Sequence, residues 1–226
     1  MSGSKSGGTT GRVAGVLIAA VVVCVLIGLY IGVYLTAAPP SVAATRTPVG
    51  AKLYLATVPA ASLSDPHPTW VSFYQVDANS QHWTHSTTYV LPANTLVHVT
   101  IYQYDTQTGL RNPFLAQVQG TVGGVMLLNG RPTRVVDPTA PAHVFAAPQL
   151  GLAIPLVGVL TTAHNPCANA PCSLSNAHTT TSFAFRTPGK GLYRWQCFVP
   201  CALGFIQGFG GPMQTVGYMD GFLKVV

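Results

Sequence analysis

Glutamate is absent from this 226-residue chain, and aspartate supplies all five of its acids. That excludes any paired-Glu acid/base device. Charged residues of either sign make up only 7% of the sequence. The eleven Lys and Arg are scattered singly, without a basic run or basic helix, so the formal charge of +6 leaves no nucleic-acid footprint. Also missing are a P-loop, a dinucleotide fingerprint and a Ser-His-Asp spacing with a nucleophile elbow. The glycine cluster GFGG at 208–211 lacks the strand-to-helix context that phosphate binding requires. No amphipathic helix and no internal repeat is legible beyond the N-terminal region.

What the chain does have is apolar residues, 48% of the total, and they are concentrated at one end. From Val13 to Ala38 no residue is charged, a run longer than the roughly 20 residues needed to cross a bilayer core. Ser41-Val-Ala43 offers a signal-peptide cleavage site, but the apolar stretch outruns a signal h-region of about 7–15 residues. The reading is an uncleaved anchor. Lys5 and Arg12 precede it and Arg46 and Lys52 follow it, so basic residues do not orient it. Orientation comes from cysteine usage. Cys24 lies in the apolar run, while Cys167, Cys172, Cys197 and Cys201 form two close pairs that suit an oxidising or metal-handling compartment. The expected organisation is a disordered cytoplasmic tail (1–11), a transmembrane helix (12–38), a Pro-rich tether (39–51) and an extracytoplasmic domain (52–226). The localisation is then a single-pass cell-membrane protein in contact with lipid.

The pattern of residues 52–226 is all-β. TLVHVTIYQY at 95–104 alternates, with Val97, Val99 and Ile101 on one face and His98, Thr100 and Tyr102 on the other. TTTSFAFRTPGKGLYRWQCF reads as two strands around a Pro-Gly-Lys-Gly turn, Phe183 and Phe185 sharing one face and Tyr193, Trp195 and Cys197 another. GYMDGFLKVV reads as a last strand. Short β-rich runs with Gly/Pro punctuation predict a Greek-key β-sandwich. Two long segments, 106–132 and 161–178, read as insertions. The second holds Cys167 and Cys172 between Pro166 and Pro171, a spacing better suited to a small disulfide ring than to a metal.

Cys197-x3-Cys201 directly follows a strand, and AHVFAAPQLGLAIP lies upstream at 142–155. A soft copper ion is held by thiolate and imidazole together, and His143 with the cysteine pair supplies both. Without metal, the same two thiols in an oxidising compartment would close a local disulfide.

GKGLYRWQCFVPCALGF resembles the copper loop of subunit II of haem-copper terminal oxidases, and AHVFAAPQLGL resembles the strand end that supplies the first His ligand in cupredoxins. The resemblance implies a cupredoxin-like sandwich in which His143 is an imidazole ligand, Cys197 and Cys201 are bridging thiolates and the Val199 carbonyl is a weak ligand. It implies copper as cofactor and respiratory electron transfer as function. It implies as partners a membrane-embedded haem-copper oxidase subunit and a soluble electron donor. The chain departs from that pattern at Phe205, where a His is expected, and at Gly208, where a Met is expected. Met219 restores an M-x-G before the last strand, so about eleven residues, including Met213, are inserted, and Met213 or Met219 is a candidate soft axial ligand. His85, His98, His164 and His178 are the remote candidates for the missing imidazole. Two other readings follow from the departure: a copper-free structural or assembly subunit, and a copper-delivery protein using thiolates and a Met.

Overall fold

The computed structural model describes residues 7–35, 40–61, 69–77, 82–200 and 211–226. It divides into two units, residues 1–38 and 39–226. In the first, helix α1 (Gly7–Leu29) continues as a π-helical segment, Tyr30–Leu35. Its apolar side chains, Val16 and Leu17 among them, are exposed. Over Gly11–Val33 it is long and apolar enough to cross a membrane, as an anchor or a signal sequence does. The helix starts at Gly7, so part of the segment expected as a disordered tail is helical. Residues 1–6 of that segment lie outside the described residues.

The second unit is an all-β sandwich, as its alternation predicts. Its described strands are β1 (Ser41–Ala43), β2 (Thr45–Thr47), β3 (Gly50–Ala61), β4 (Trp70–Val76), β5 (Trp83–Thr84), β6 (Thr88–Leu91), β7 (Leu96–Gln103), β8 (Met126–Leu128), β9 (Arg131–Thr133), β10 (Pro141–Ala147), β11 (Leu152–Val157), β12 (Thr179–Arg186), β13 (Gly191–Gln196) and β14 (Asp220–Val225). One sheet runs β1-β6-β14-β13-β10-β11, and the other runs β5-β4-β3-β7-β12-β8-β9 with β2 on β3. The pairs β1–β6, β6–β14 and β3–β7 are parallel, because the chain crosses between sheets instead of turning back within one.

One expectation changes here. Residues 41–47 are not a tether: β1 pairs with β6 and β2 pairs with β3, so the sandwich begins well before Lys52. Short polar segments reveal their pairing only through a distant partner, and Pro39 and Pro40 mimic a linker. The Pro-Gly-Lys-Gly turn joins strands of different sheets, β12 to β13, and so it passes the chain over the edge of the sandwich.

The core follows from alternation. Val97, Val99 and Ile101 of β7 and Phe183 and Phe185 of β12 point inward with Leu53 and Leu55 of β3. Trp195 sits at the centre. Its ring lies 4.7 Å from that of Phe73 on the eight-stranded sheet, and 4.9 Å and 5.9 Å from those of Phe145 and Tyr89 on its own sheet. Trp195 Nε1–H donates to the Thr87 carbonyl at 2.9 Å, so the buried indole keeps a polar partner. The same carbonyl lies against Gly221, where a Cβ would come within 1.9 Å of it. Only glycine fits there.

The first long segment, 106–132, is partly sheet itself, since β8 and the start of β9 lie within it and β8 pairs with β12. Gln119 exchanges backbone hydrogen bonds with Ala153 on the edge strand β11, which shields an otherwise open edge. The 161–178 segment carries the expected Cys167–Cys172 disulfide. Both cysteines join Ala56, Val58 and Tyr104 in a second apolar cluster, and Ala170 N–H bonds the Ala60 carbonyl.

The six-stranded sheet also carries an ion pair that sets the register beside Cys197. Arg194 Nε donates to the Asp220 carboxylate at 2.9 and 3.1 Å, and its Nη2 completes a forked contact. The Asp220 side chain is fully buried while that of Arg194 is half exposed. Removing the cation leaves a buried carboxylate without its partner. Arg194→Ala is expected to lower unfolding free energy by about 1–3 kcal/mol, discounted for the exposed guanidinium. Urea denaturation measures it, and an unchanged midpoint would show the pair to be inert.

Candidate metal centre

His143 lies on β10, a strand buried at every position because β11 and β13 flank it and the second sheet covers it. Its imidazole is fully buried. Asp105, just beyond the end of β7 on the opposite sheet, meets His143 Nε2 through its Oδ2 at 3.1 Å. The other carboxylate oxygen, Oδ1, accepts the Thr106 N–H at 2.7 Å. A carboxylate on Nε2 keeps the proton there and turns Nδ1 the other way. Nδ1 faces Cys197 Sγ at 3.9 Å.

Cys197 follows β13 directly and is also fully buried. Its own N–H donates to the Met219 carbonyl at 2.9 Å, tying it to the residue before β14. Val144 N–H points at Cys197 Sγ from 3.5 Å, and Sγ lies 3.6 Å from the Val199 carbonyl. A backbone N–H aimed at sulfur favours the thiolate, the form that acts as a metal ligand.

Of the candidate residues, His143, Cys197 and Val199 therefore meet. Met213 and Met219 reach the same end of the sandwich through their backbones: Met219 N–H bonds the Pro212 carbonyl, and the Met213 carbonyl accepts from Gln196 Nε2. Both thioether side chains are buried. Cys201, Phe205 and Gly208 lie outside the described residues. The remote histidines do not converge on the thiol. His85 bonds the Gly217 carbonyl and stacks on Tyr74, and His178 bonds the Asn176 carbonyl and packs on Tyr104. His98 is exposed on the outer face of β7, and His164 sits in the 161–178 segment. Among the described residues no group of three or more His, Cys, Asp or Glu could hold a metal. The donors present suit a soft ion, one imidazole and one thiolate on a shared side.

Asp105 is the residue that sequence reasoning missed. Its only signal was scarcity, one of five acids, two residues beyond an alternating strand.

Burial by itself would raise the Asp105 carboxyl, but the hydrogen bond and charge of His143 and the Thr106 N–H hold it below the usual range. Burial by itself would lower His143. The hydrogen bonds to Asp105 and Cys197 and the charges of both outweigh it, and His143 is pushed up to about 9.

No family model and no curated protein matches the chain. Among solved structures it is similar to the copper protein rusticyanin, at 14% identity over 82% of each chain with a TM-score of 0.32. It is similar also to rusticyanin from Thiobacillus ferrooxidans, at 15% identity over 82% of each chain with a TM-score of 0.31. For reduced rusticyanin the identity is 14% over 82% of this chain and 84% of that one, with a TM-score of 0.30.

The His143 shift fixes a pH dependence for the metal-free protein. A histidine whose folded pKa exceeds its unfolded value of 6.5 contributes stability that is complete below that value and is lost as pH rises through about 9. In the presence of a chelator the thermal midpoint is expected to fall between pH 6.5 and 9. Asp105→Asn is expected to lower the midpoint at pH 6 and flatten that fall. A wild-type midpoint constant across the window, measured by circular dichroism, would contradict the assignment.

Proposed function

We propose that this chain is a membrane-anchored, cupredoxin-like electron-transfer protein that binds a single copper ion between His143 and Cys197. The observation that carries the reading is the 3.9 Å approach of His143 Nδ1 to Cys197 Sγ, with the Val144 N–H on the same sulfur. Bound copper would supply a one-electron couple. The residues supply everything else. Asp105 holds the ring so that Nδ1 is the free donor. Val144 N–H lowers the cost of the thiolate. Full burial of His143 and Cys197 keeps water from the pair, and a preformed ligand set needs little rearrangement when its charge changes.

Met213 and Met219 are candidates for a weak soft ligand, and the Val199 carbonyl for a weak oxygen ligand. A single ion is favoured over a dinuclear centre because Phe205 replaces the second imidazole in sequence and cannot coordinate. The likeness of the 189–205 stretch to the oxidase subunit II loop makes a membrane-embedded haem-copper oxidase subunit the electron acceptor of this proposal. α1 supports anchoring in the bilayer where such a partner resides. Phe205 favours a second reading, a copper-free structural subunit of a membrane complex.

One experiment separates the two. The full chain in detergent, loaded with Cu(II) and desalted, is expected to retain about one copper per chain. It should show an intense thiolate charge-transfer band that disappears in Cys197→Ser and weakens or shifts in His143→Ala. No retained copper in a folded, reduced wild-type protein would leave the copper-free reading standing and remove the relay.

A further inference from the structure

The inner face of β7 is apolar at three alternate positions and then stops being so. Val97, Val99 and Ile101 are buried between the sheets, and the next inward residue, Gln103, is a fully buried carboxamide. Among the described residues, neither its Oε1 nor its Nε2 has a hydrogen-bond partner. Register sets Thr57 of β3 directly beside Gln103, and sets Thr181 of β12 beside Ile101, one diagonal step away on the same face. Both threonines are fully buried and the Oγ1 of each is also unpartnered. Four orphaned polar atoms thus fall on one patch of the sheet's inner face.

An amide or hydroxyl buried without a partner costs roughly 1–3 kcal/mol, and native structures hold few of them. Three such side chains on adjacent strands point to a shared partner. Gln103 is flanked on both sides by short side chains, Thr57 and Thr179, whereas the rows beneath carry Leu55, Ile101 and Phe183. Thr179 Oγ1 already donates to the Val157 carbonyl of the opposite sheet. The free inventory is therefore one amide, with two N–H donors and an acceptor, and two hydroxyls that each donate and accept. No carboxylate is among these groups, which argues against a cation. An apolar guest would satisfy none of them. Water both donates and accepts, and buried waters typically make about three hydrogen bonds to otherwise unsatisfied groups.

We propose that Thr57, Gln103 and Thr181 hold a small cluster of ordered water between the two sheets. It would occupy the inner face next to the strand end from which Asp105 reaches His143. The inference is independent of copper, since all three residues belong to the eight-stranded sheet and none is a candidate ligand.

The test counts long-lived internal water by magnetic relaxation dispersion of the full chain in detergent, with circular dichroism as the check on folding. The wild type is compared with Gln103→Met, Thr57→Val and the triple variant T57V/Q103M/T181V, each close to isosteric. The wild type is expected to show slowly exchanging water that is lost in the triple variant and reduced in each single one. Gln103→Met is expected to lower the thermal midpoint, because it strands the water's remaining partners. Equal dispersion in wild type and variants would overturn the proposal. So would a midpoint that rises in Gln103→Met without loss of water, the result that dry, unpaired groups would give. If the triple variant does not fold, Thr57→Val alone decides by the same dispersion readout.

Discussion

A fully buried imidazole must have its polar atoms answered, and the way His143 meets that demand organises this end of the molecule. Its partner, Asp105, comes from the opposite sheet, so the contact is a clamp between layers as well as a hydrogen bond. Because the carboxylate takes Nε2, the ring cannot rotate to present that nitrogen elsewhere. Nδ1 is then committed to the side where Cys197 lies. The same carboxylate is fixed in turn by the Thr106 N–H, so the orientation of the ring is inherited from backbone at the end of β7.

The thiol is fixed with equal economy and from the other direction. Trp195 and Cys197 share a face two residues apart, and the indole is locked into the core by the Thr87 carbonyl. Gly221, opposite Trp195 on β14, lets that carbonyl approach. Arg194 and Asp220 hold the two strands in register at the next step, and Met219 then accepts the Cys197 N–H. A shift of one residue between β13 and β14 would turn Trp195 and Cys197 outward together. Core packing and site geometry therefore depend on a single register.

Much of this was legible in the sequence where the signal is local. The alternation of β7 named Val97, Val99 and Ile101 as core, the spacing of Cys167 and Cys172 named a disulfide, and the Cys197 strand end named its own thiol and, upstream, His143. What was not legible depends on distant partners. β1 and β2 are three residues each and pair with strands later in the chain, so their small residues, between Pro40 and Pro48, read as a tether. The Pro-Gly-Lys-Gly turn has hairpin chemistry, yet it links two sheets, because Phe183 and Phe185 are buried from one side of the core and Trp195 from the other. Asp105 stands 38 residues from His143, and no local pattern marks an acid that is used across a sandwich. Gln103 was hidden for a related reason: a glutamine at the end of an alternating strand reads as the exit to solvent, while in the fold that strand end is roofed by the second sheet.

The scarcity of acids acquires a physical meaning once Asp105, partly buried, and Asp220, fully buried, are placed. Of five aspartates, Asp105 is committed to His143 and Asp220 to Arg194. Each has its charge answered by a neighbour, and each acts on the thiol indirectly, one by turning the imidazole towards it and the other by holding the strand that carries it. Neither is left as a spare oxygen ligand beside the sulfur. Hard cations such as Mg²⁺ or Ca²⁺ need several carboxylate or carbonyl oxygens, whereas the contacts of Cys197 Sγ include an imidazole nitrogen and the single carbonyl of Val199. The soft donors that meet here are His143 Nδ1 and Cys197 Sγ, 3.9 Å apart, with Met213 and Met219 at the same end of the sandwich. In the proposed function, the choice of metal would be set by what the surrounding charges are already doing as much as by His143 and Cys197 themselves.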